Sequence, residues 1–423
     1  MKVLWICNRA IPVAAKHLHI DCGNKEGWLA GLSEKLLSLK EENLELGICF
    51  PLNDRPNLNE RCEVAVYTFA EDPVRFELYD EALEGRFREI FEDFKPDVIH
   101  IFGTEYSHTL AACLAFEKKE KILVGIQGLC SVYAEHYFDG LPENVINGNT
   151  LRDFLKKDNI AEQKAKFEER GRHEIKALSL TGNVTGRTDW DRHYTGVFAP
   201  DAEYHFMNET LRSNFYEGAW KFENCEEYSI FVSQGDYPIK GLHVLLEAFP
   251  SVLKKYPKAR LYVAGNRITG EESLKKKILI GSYGKWINKL LKKGGIKDKV
   301  IFLGSLNAEE MKERYLKSNL YLSPSMMENS PNSVGEAMIL GMPVVSSDVG
   351  GVTNLLSDKE EGFVYPSLDK EALVNSICDA FALNGSERQK EMGKAAARHA
   401  NITHNPENNC RRLLEIYREI VNK

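Results

Sequence analysis

Short apolar runs alternate with amphipathic stretches along the first half of the chain. A bounded apolar run is typical of a buried strand, whereas apolar residues spaced three and four apart are typical of a helix with one buried face. Strands are therefore predicted at 3–7, 46–49, 64–67, 98–101 and 122–126, and helices at 82–95 and 107–118. Continuous apolar strands separated by helices indicate a parallel sheet covered on both faces.

The same alternation resumes after residue 228, beyond a charged stretch at 150–180 that predicts a helix. Strands are predicted at 229–232, 261–264, 300–303, 320–322 and 343–345. Residues 217–228 interrupt the pattern and are the predicted linker. Two doubly wound α/β halves follow, and such sheets bind ligands at the carboxyl ends of their strands. We therefore expect a ligand site in a cleft between the halves.

The bulk properties exclude several classes of protein. A chain of 423 residues is too long for one compact core. A net charge of −7 argues against a nucleic-acid binder, which would neutralise phosphates. No run of about 18 apolar residues predicts a membrane span, and the N-terminal apolar run is too short for a signal peptide. Nine cysteines without a Cys-x-x-Cys pair predict reduced thiols and a cytoplasmic protein.

Two sequence features resemble metal sites, and both are interpreted otherwise. His17, His19 and Cys22 lie close together but lack a fourth ligand, so a polar loop is favoured. Asp189 and Asp191 resemble a pair that holds a diphosphate-bound cation. Thr188 before them predicts instead a helix cap, with both aspartates in the first turn. No metal site is therefore predicted.

The segment 324–338 carries the strongest chemical signal. It follows a predicted strand, and Pro331 suits an early position in a helix that would run to about Leu340. Glu328 lies in the loop before this helix and Glu336 within it. The helix N-terminus and the loop amides form a natural anion site. A carboxylate beside them can accept charge-assisted hydrogen bonds from vicinal hydroxyls, each worth about 1.5–3 kcal/mol.

In these motifs the chain resembles the family 4 retaining glycosyltransferases of the bacterial polysaccharide type. The glutamate pair is followed by GMPVVSS (341–347) and two glycines (350–351), and it is preceded by YPIKGLHVLLEAF (237–249), LYVAGN (261–266) and VIFLGSL (300–306). The resemblance implies an α/β protein of the GT-B fold, with two Rossmann-like doubly wound domains facing across a cleft. It places an acceptor-side domain at 1–216, a nucleotide-sugar-binding domain at 229–405, and 406–423 crossing back onto the first domain.

The resemblance also implies roles for individual residues. Glu336 would hold the ribose hydroxyls, Glu328 the donor sugar, and Lys240 the diphosphate leaving group, so that Glu328 and Lys240 are the predicted catalytic residues. The other predicted donor contacts are Asn329, Ser330, Asn332, Ser333, Gly27, Gln127, Gly265, Asn266 and Leu306. The co-substrate would be a nucleotide-diphosphate sugar, without a further cofactor or metal.

Three positions depart from the family pattern. Gly235 stands where the family has an arginine five residues before the lysine, and Gln234 or Arg267 are the alternative contacts. Gln127 stands where a histidine is common, with the nearby histidines at 100, 108 and 136 as alternatives. Gly27 keeps one glycine of a usual pair, and Arg187 is a further candidate contact with donor or acceptor.

The acceptor would be a hydroxyl group on a glycan or a lipid-linked glycan. Residues 275–299 contain nine lysines against one acid, Asp298, and could rest on anionic lipid at the inner face of a membrane. The favoured interpretation is a helix with a buried apolar stripe and solvated lysines. Two other classes stay open: a GT-B epimerase or phosphorylase, and a non-catalytic relative that binds sugar nucleotides.

Overall fold

The computed structural model describes residues 1–21, 27–39, 43–270 and 278–423. These residues divide into two compact units. The first comprises Met1–Ala134, Lys166–Arg212 and His404–Lys423, and the second comprises Glu135–Ala165 and Ser213–Thr403. Residues 135–165 thus group with the second unit. The domain bounds 1–216 and 229–405 stay a prediction.

Strands and helices alternate as the hydrophobic pattern predicts. The described strands are β1 (Lys2–Ile6), β2 (Glu45–Pro51), β3 (Asn59–Arg61), β4 (Ala65–Phe69), β5 (Val98–Phe102), β6 (Ile122–Gly125), β7 (Asn183–Gly186), β8 (Glu203–Phe206), β9 (Glu226–Val232), β10 (Arg260–Ala264), β11 (Val300–Gly304), β12 (Ser318–Ser323), β13 (Val344–Asp348) and β14 (Phe363–Pro366). The described helices are α1 (Pro12–Leu18), α2 (Gly27–Ser38), α3 (Ala82–Phe94), α4 (Ser107–Ala115), α5 (Cys130–Glu135), α6 (Glu143–Ile146), α7 (Leu151–Lys156), α8 (Ile160–Leu178), α9 (Asp189–Phe198), α10 (Leu242–Lys255), α11 (Ser282–Gly294), α12 (Ala308–Lys317), α13 (Asn332–Ile339), α14 (Lys370–Ala382), α15 (Glu387–Thr403) and α16 (Pro406–Val421).

The first unit is built on a sheet in the order β3-β4-β2-β1-β5-β6-β7-β8. Its neighbouring strands are parallel except for the short antiparallel edge strand β3. The C-terminal helix α16 packs in this unit, where the hydroxyl of Tyr417 accepts from the indole of Trp5 and bonds to His100, both at 2.7 Å. All three side chains are fully buried. These bonds fix the last helix against the central strands β1 and β5.

The second unit has a fully parallel sheet in the order β11-β10-β9-β12-β13-β14. The chain starts in the middle at β9, builds outward through β10 and β11, and then returns to build β12, β13 and β14 on the other side. The order therefore reverses between β9 and β12. In doubly wound sheets a crevice opens at this point, beyond the carboxyl ends of the two strands.

Two sequence predictions about secondary structure need correction. The stretch 150–180 forms two helices, α7 and α8. The first helix ends at Lys156, because the next residue, Lys157, has a left-handed φ of 49°. The predicted linker 217–228 contains a short 3-10 helix and the start of β9. Trp220 anchors it within the second unit: its indole donates to the carbonyl oxygen of Ser318 and its backbone N–H to that of Leu340. Charge and polarity alone did not reveal this packing.

The predicted helix cap at Thr188 is confirmed. The Thr188 side chain accepts from the backbone N–H of Asp191 (3.1 Å), and the Asp191 carboxylate accepts in return from Thr188 (3.3 Å). The same carboxylate also accepts from the backbone of Arg187 (2.9 Å) and the hydroxyl of Tyr204 (2.6 Å). Asp191 is fully buried, whereas Asp189 is exposed. The aspartates therefore differ in their surroundings, unlike a pair of metal ligands.

Asp191→Asn should destabilise the protein without acting on chemistry. The amide that replaces one carboxylate oxygen faces backbone N–H donors, which lose a charged acceptor at a cost of about 1–3 kcal/mol. The exposed matched variant, Asp189→Asn, should leave stability within about 0.5 kcal/mol. Thermal unfolding of the full chain measures both. If a chelator abolishes turnover and a divalent cation restores it, the prediction that the reaction needs no metal ion is wrong.

The lysine-rich segment is described from residue 278 onward, and Lys275, Lys276 and Lys277 lie outside the described residues. In α11 the apolar stripe is buried and packs with α10, which confirms the favoured interpretation. Its exposed lysines are Lys285, Lys289, Lys292 and Lys293. None of the described helices combines the length and apolar character that a bilayer span requires.

Candidate donor site of the second unit

Lys240 and Glu328 follow the two strands that flank the reversal of strand order. Lys240 ends a 3-10 turn, Pro238–Lys240, beyond β9, and Glu328 lies in the loop beyond β12. Parallel pairing of β9 and β12 brings the carboxyl ends of both strands to one edge of the sheet. The sequence separates the two residues by 88 positions, and the sheet brings them into contact.

The ammonium group of Lys240 donates to Oε1 of Glu328 at 2.5 Å. The hydroxyl of Ser325 donates to the same oxygen at 2.7 Å. Only 19% of the Lys240 side chain and 10% of the Glu328 side chain are exposed. Water therefore screens this ion pair less than a surface pair, and the hydrogen bond is of the stronger, charge-assisted kind.

Two glycines allow close backbone contacts around the Lys240–Glu328 ion pair. Gly241 has a φ of 69°, and a β-carbon there would collide with the carbonyl oxygen of Pro324. Gly350 has a φ of 55°, and a β-carbon there would collide with the carbonyl oxygen of Glu328. Side chains at these positions would force the loop beyond β12 away from its neighbours. The motif glycines thus act by allowing close backbone approach.

Ser325 was not singled out from the sequence. Its hydroxyl contacts Glu328, and its carbonyl oxygen accepts from the hydroxyl of Ser347 at 2.6 Å. The backbone N–H of Met326 donates to the carbonyl oxygen of Ile239 at 2.7 Å. The position of Ser325, three residues before Glu328, is the signal that could have identified it, since a serine at that spacing in a turn can reach the carboxylate.

The helix α13 begins immediately after Pro331, which precedes the helix as its N-cap and so lies one step earlier than predicted. Glu336 lies inside this helix, as predicted, and is 4% exposed. Asn329 and Ser330 are also buried. The Ser330 hydroxyl has no hydrogen-bond partner among the described residues. A buried hydroxyl without a partner is costly unless a ligand or water completes it.

Three further predicted donor contacts lie beyond the carboxyl ends of β11 and β12. Asn332 and Ser333 are the first residues of α13, and the Ser333 carbonyl oxygen accepts from the hydroxyl of Tyr315 at 2.9 Å. Leu306 lies half-buried between β11 and α12. These positions match the predicted loops. Their contacts with a donor stay predictions.

Gly265 and Asn266 follow β10, next to Asp236. Gly265 has a φ of 109°, and Asp236 accepts from the side-chain amide of Asn266 (2.6 Å) and from its backbone N–H (3.2 Å). Asn266 and Arg267 line a cavity of about 450 Å³ whose wall also includes Arg152 and Asp236. That volume is within the range of small-molecule pockets. Arg267, one alternative to the missing arginine, therefore lies at this cavity.

Side chains crowd the position of Gly235. Gly235 is buried, and a β-carbon there would lie 2.7 Å from Cγ1 of Val263 and 3.0 Å from Cδ2 of Leu242. Real β-carbons do not come as close as 2.7 Å, so a larger residue at 235 would displace the Val263 side chain and crowd that of Leu242. In the described part of this unit, Lys240 is the cation that the structure places on Glu328.

The first unit places Gln127 in a polar cluster beyond β6. Its side-chain amide donates to Glu209 at 2.6 Å, and Arg187 pairs with the same Glu209 oxygen at 3.0 Å. Arg187 also donates to the carbonyl oxygen of Ile126 at 3.1 Å. Glu209, which sequence reasoning did not identify, is 3% exposed and orients both side chains.

Gly27 begins α2, and the methylenes of Arg212 pack directly against it. A β-carbon at residue 27 would collide with them, so the glycine allows a close approach by a cationic side chain. The preceding residues 23–26 of the predicted loop lie outside the described residues, as does Cys22. His17, next to that loop, bonds to Glu60 at 2.8 Å.

The three alternative histidines have other partners. His100 is fully buried, and burial lowers its pKa to about 3, so it is a neutral core residue. His108 bonds to Glu71 at 2.9 Å and His136 to Asp139 at 2.8 Å. One described group resembles a metal site and comprises Glu203, His205 and Glu419. Its carboxylates pair with Lys423 and Arg412, which favours a surface ion-pair network over a metal site.

Residues 215–399 match the family "Glycosyl transferases group 1". The chain is 30% identical over 145 residues to a glycosyltransferase of Methanocaldococcus jannaschii, covering 34% of this chain and 33% of that protein. It is 28% identical over 149 residues to the phosphatidyl-myo-inositol mannosyltransferase of Mycobacterium leprae, covering 35% of each chain. The matches therefore span about a third of these relatives.

Solved structures resemble the whole chain. Sucrose-phosphate synthase from Thermosynechococcus elongatus superposes with a TM-score of 0.70 at 16% identity, covering 99% of both chains. Anabaena HepE, solved in complex with UDP-glucose, superposes with a TM-score of 0.63 at 14% identity, covering 98% of this chain and 99% of that one. At such identities the likeness establishes the fold. The chain has the GT-B fold, and its residues 215–399 match the model of the group 1 glycosyl transferases.

Proposed function

We propose that this chain is a retaining glycosyltransferase of family 4 that moves a sugar from a nucleotide-diphosphate donor to a hydroxyl acceptor in glycan or polysaccharide biosynthesis. The observation that carries the proposal is the 2.5 Å contact between Lys240 and Glu328 at the reversal of strand order. A cation for a leaving diphosphate and a carboxylate for sugar hydroxyls lie side by side, as the proposed donor requires.

The second unit would bind the donor along its sheet edge. Glu336 accepts hydrogen bonds from the ribose hydroxyls and Glu328 from the sugar hydroxyls. Loop amides of 329–333 and the Ser330 hydroxyl complete the sugar and diphosphate contacts. Support for this arrangement comes from the buried Ser330 hydroxyl, which has no partner among the described residues and gains most from a ligand that completes its hydrogen bonds.

In the proposed reaction the bond between the anomeric carbon and the diphosphate oxygen breaks first. The acceptor oxygen then bonds to the same face of that carbon, and its proton passes to the departing diphosphate. No enzyme nucleophile takes part. Lys240 and loop amides stabilise the negative charge that develops on the leaving group, which is the type of electrostatic stabilisation that contributes most to many enzymes. The reaction would need no metal ion.

The acceptor would be a glycan or a lipid-linked glycan. In the first unit, Arg187, which is predicted to contact donor or acceptor, pairs with Glu209 at 3.0 Å, and its guanidinium N–H groups are suited to hydroxyl groups. Because the apolar stripe of α11 is buried, any contact with a membrane would be electrostatic, through the exposed lysines. Cosedimentation with anionic vesicles that disappears at high salt would support this contact. Cosedimentation that is unaffected by salt would contradict it.

A screen of nucleotide sugars tests the proposed function. Thermal stabilisation identifies the donor, and the hits are then incubated with water and with hydroxyl acceptors. The proposal expects release of a nucleoside diphosphate, survival of activity in chelator, and a product whose anomeric configuration, measured by NMR, equals that of the donor. Conversion of the sugar without release of nucleoside diphosphate would indicate an epimerase. Binding without turnover would indicate a non-catalytic protein.

A further inference from the structure

Lys240 and Glu328 form an ion pair at the carboxyl edge of the sheet. Each is the predicted contact of a different part of the donor: the lysine for the diphosphate and the glutamate for the sugar. A ligand that draws Lys240 to its phosphates therefore removes the cationic partner of Glu328. What happens to Glu328 at that moment depends on whether the ligand carries a sugar.

A nucleoside diphosphate without a sugar offers Glu328 no replacement. Its phosphates would take the ammonium group, while the carboxylate would keep the Ser325 hydroxyl and stay in largely buried surroundings. Breaking a buried ion pair by removing one partner is strongly unfavourable, because the other charge is left uncompensated. The added phosphate charge nearby increases the repulsion.

A nucleotide sugar removes this penalty. Its sugar hydroxyls donate to the carboxylate and replace the ammonium group, so that both members of the pair exchange partners together. Binding of the diphosphate and binding of the sugar are then coupled through one contact. This coupling favours the intact donor over the nucleoside diphosphate that remains after transfer.

We propose that the Lys240–Glu328 ion pair sets the selectivity of the site for a nucleotide sugar over the corresponding nucleoside diphosphate, and so limits inhibition by that product. The inference rests on the proposed function, because it takes a nucleotide sugar as the donor. Ser325 is a positioning residue in this scheme, because its hydroxyl donates a hydrogen bond to Glu328. This bond stabilises the carboxylate when Lys240 is drawn away.

Calorimetric titration of the full chain with a nucleotide sugar and its nucleoside diphosphate tests the inference. Glu328→Gln removes the charge but keeps the shape, so the nucleoside diphosphate should bind about fivefold or more tightly than to the wild type. The ratio of its Kd to that of the nucleotide sugar should fall about tenfold. Glu336→Gln is the matched control, because it alters the carboxylate assigned to the ribose, which both ligands carry; both ligands should weaken by the same factor.

Ser325→Ala provides a second variant with the opposite expected sign. Without the hydroxyl, Glu328 depends more on Lys240, so the nucleoside diphosphate should bind several-fold more weakly while the nucleotide sugar changes less. An unchanged Kd ratio in both Glu328→Gln and Ser325→Ala, with turnover in the wild type, would overturn this inference alone. A wild-type chain that binds no nucleotide sugar would overturn the proposed function as well.

Discussion

Lys240→Ala should lower turnover by at least about 100-fold. A preorganised hydrogen bond to charge that develops in the transition state is worth about 2.7–4 kcal/mol, and each 1.36 kcal/mol changes the rate tenfold. The family resemblance implies an arginine that shares this charge, but Gly235 stands at its position, where the Val263 and Leu242 side chains crowd a β-carbon. Initial rates of nucleoside diphosphate release, at saturating donor, measure the effect.

The matched control is Lys390→Ala. Lys390 also pairs with a glutamate, Glu387, at 2.8 Å, but half of its side chain is exposed, so the variant should keep wild-type turnover. Thermal unfolding of both variants separates a loss of folding from a loss of chemistry. A Lys240→Ala enzyme within threefold of the wild type would mean that another cation, such as Arg187 or Arg267, stabilises the leaving group.

An arginine introduced at Gly235 should not rescue Lys240→Ala. The β-carbon alone would lie 2.7 Å from Cγ1 of Val263, so the neighbouring side chains would have to move to admit it. The steric obstacle predicts that Gly235→Arg lowers thermal stability on its own. Rescue without loss of stability would show that β10 and α10 accommodate the side chain.

Glu336→Ala should weaken nucleoside diphosphate binding by tenfold or more. The ribose hydroxyls lose a charged acceptor, and a hydrogen bond to a charged group is worth about 1.5–3 kcal/mol. Because Glu336 is 4% exposed, water does not replace the carboxylate fully. Calorimetric titration gives the Kd. Glu328→Gln should instead reduce turnover while the nucleoside diphosphate binds more tightly.

Glu391→Ala is the control for Glu336→Ala, since Glu391 is an exposed helical glutamate of the same unit. Its Kd should equal that of the wild type. Equal affinities for the nucleoside diphosphate in Glu336→Ala and the wild type would remove Glu336 from the ribose site. Equal losses in Glu336→Ala and Glu328→Gln would show that the sugar and ribose roles are wrongly divided.

The sequence predicted the α/β architecture because a short continuous apolar run indicates a buried strand, whereas apolar residues three and four apart indicate a helix. It also predicted that Glu328 precedes a helix that carries Glu336, since Pro331 marks the start of that helix. The GT-B fold is confirmed by the solved structures. The assigned roles of Lys240, Glu328 and Glu336 stay predictions, which the variants above test.

Other features depend on tertiary packing, which local patterns do not contain. The grouping of 135–165 with the second unit and the anchoring of Trp220 follow from contacts far apart in sequence. The crowding around Gly235 depends on Val263, which lies on another strand. The ion pair between Lys240 and Glu328 required the order of the strands, because only adjacent β9 and β12 bring the two turns together.

The central claim is that the chain transfers a sugar from a nucleotide sugar through a donor site that contains Lys240. The most direct test is a mass balance on the wild type and Lys240→Ala, which compares the nucleoside diphosphate released with the sugar bound to acceptor. We predict equal amounts of both products in the wild type and at least about a 100-fold lower rate in the variant. Release of neither product by a wild-type protein that binds the donor, or equal rates in the two proteins, would contradict the account.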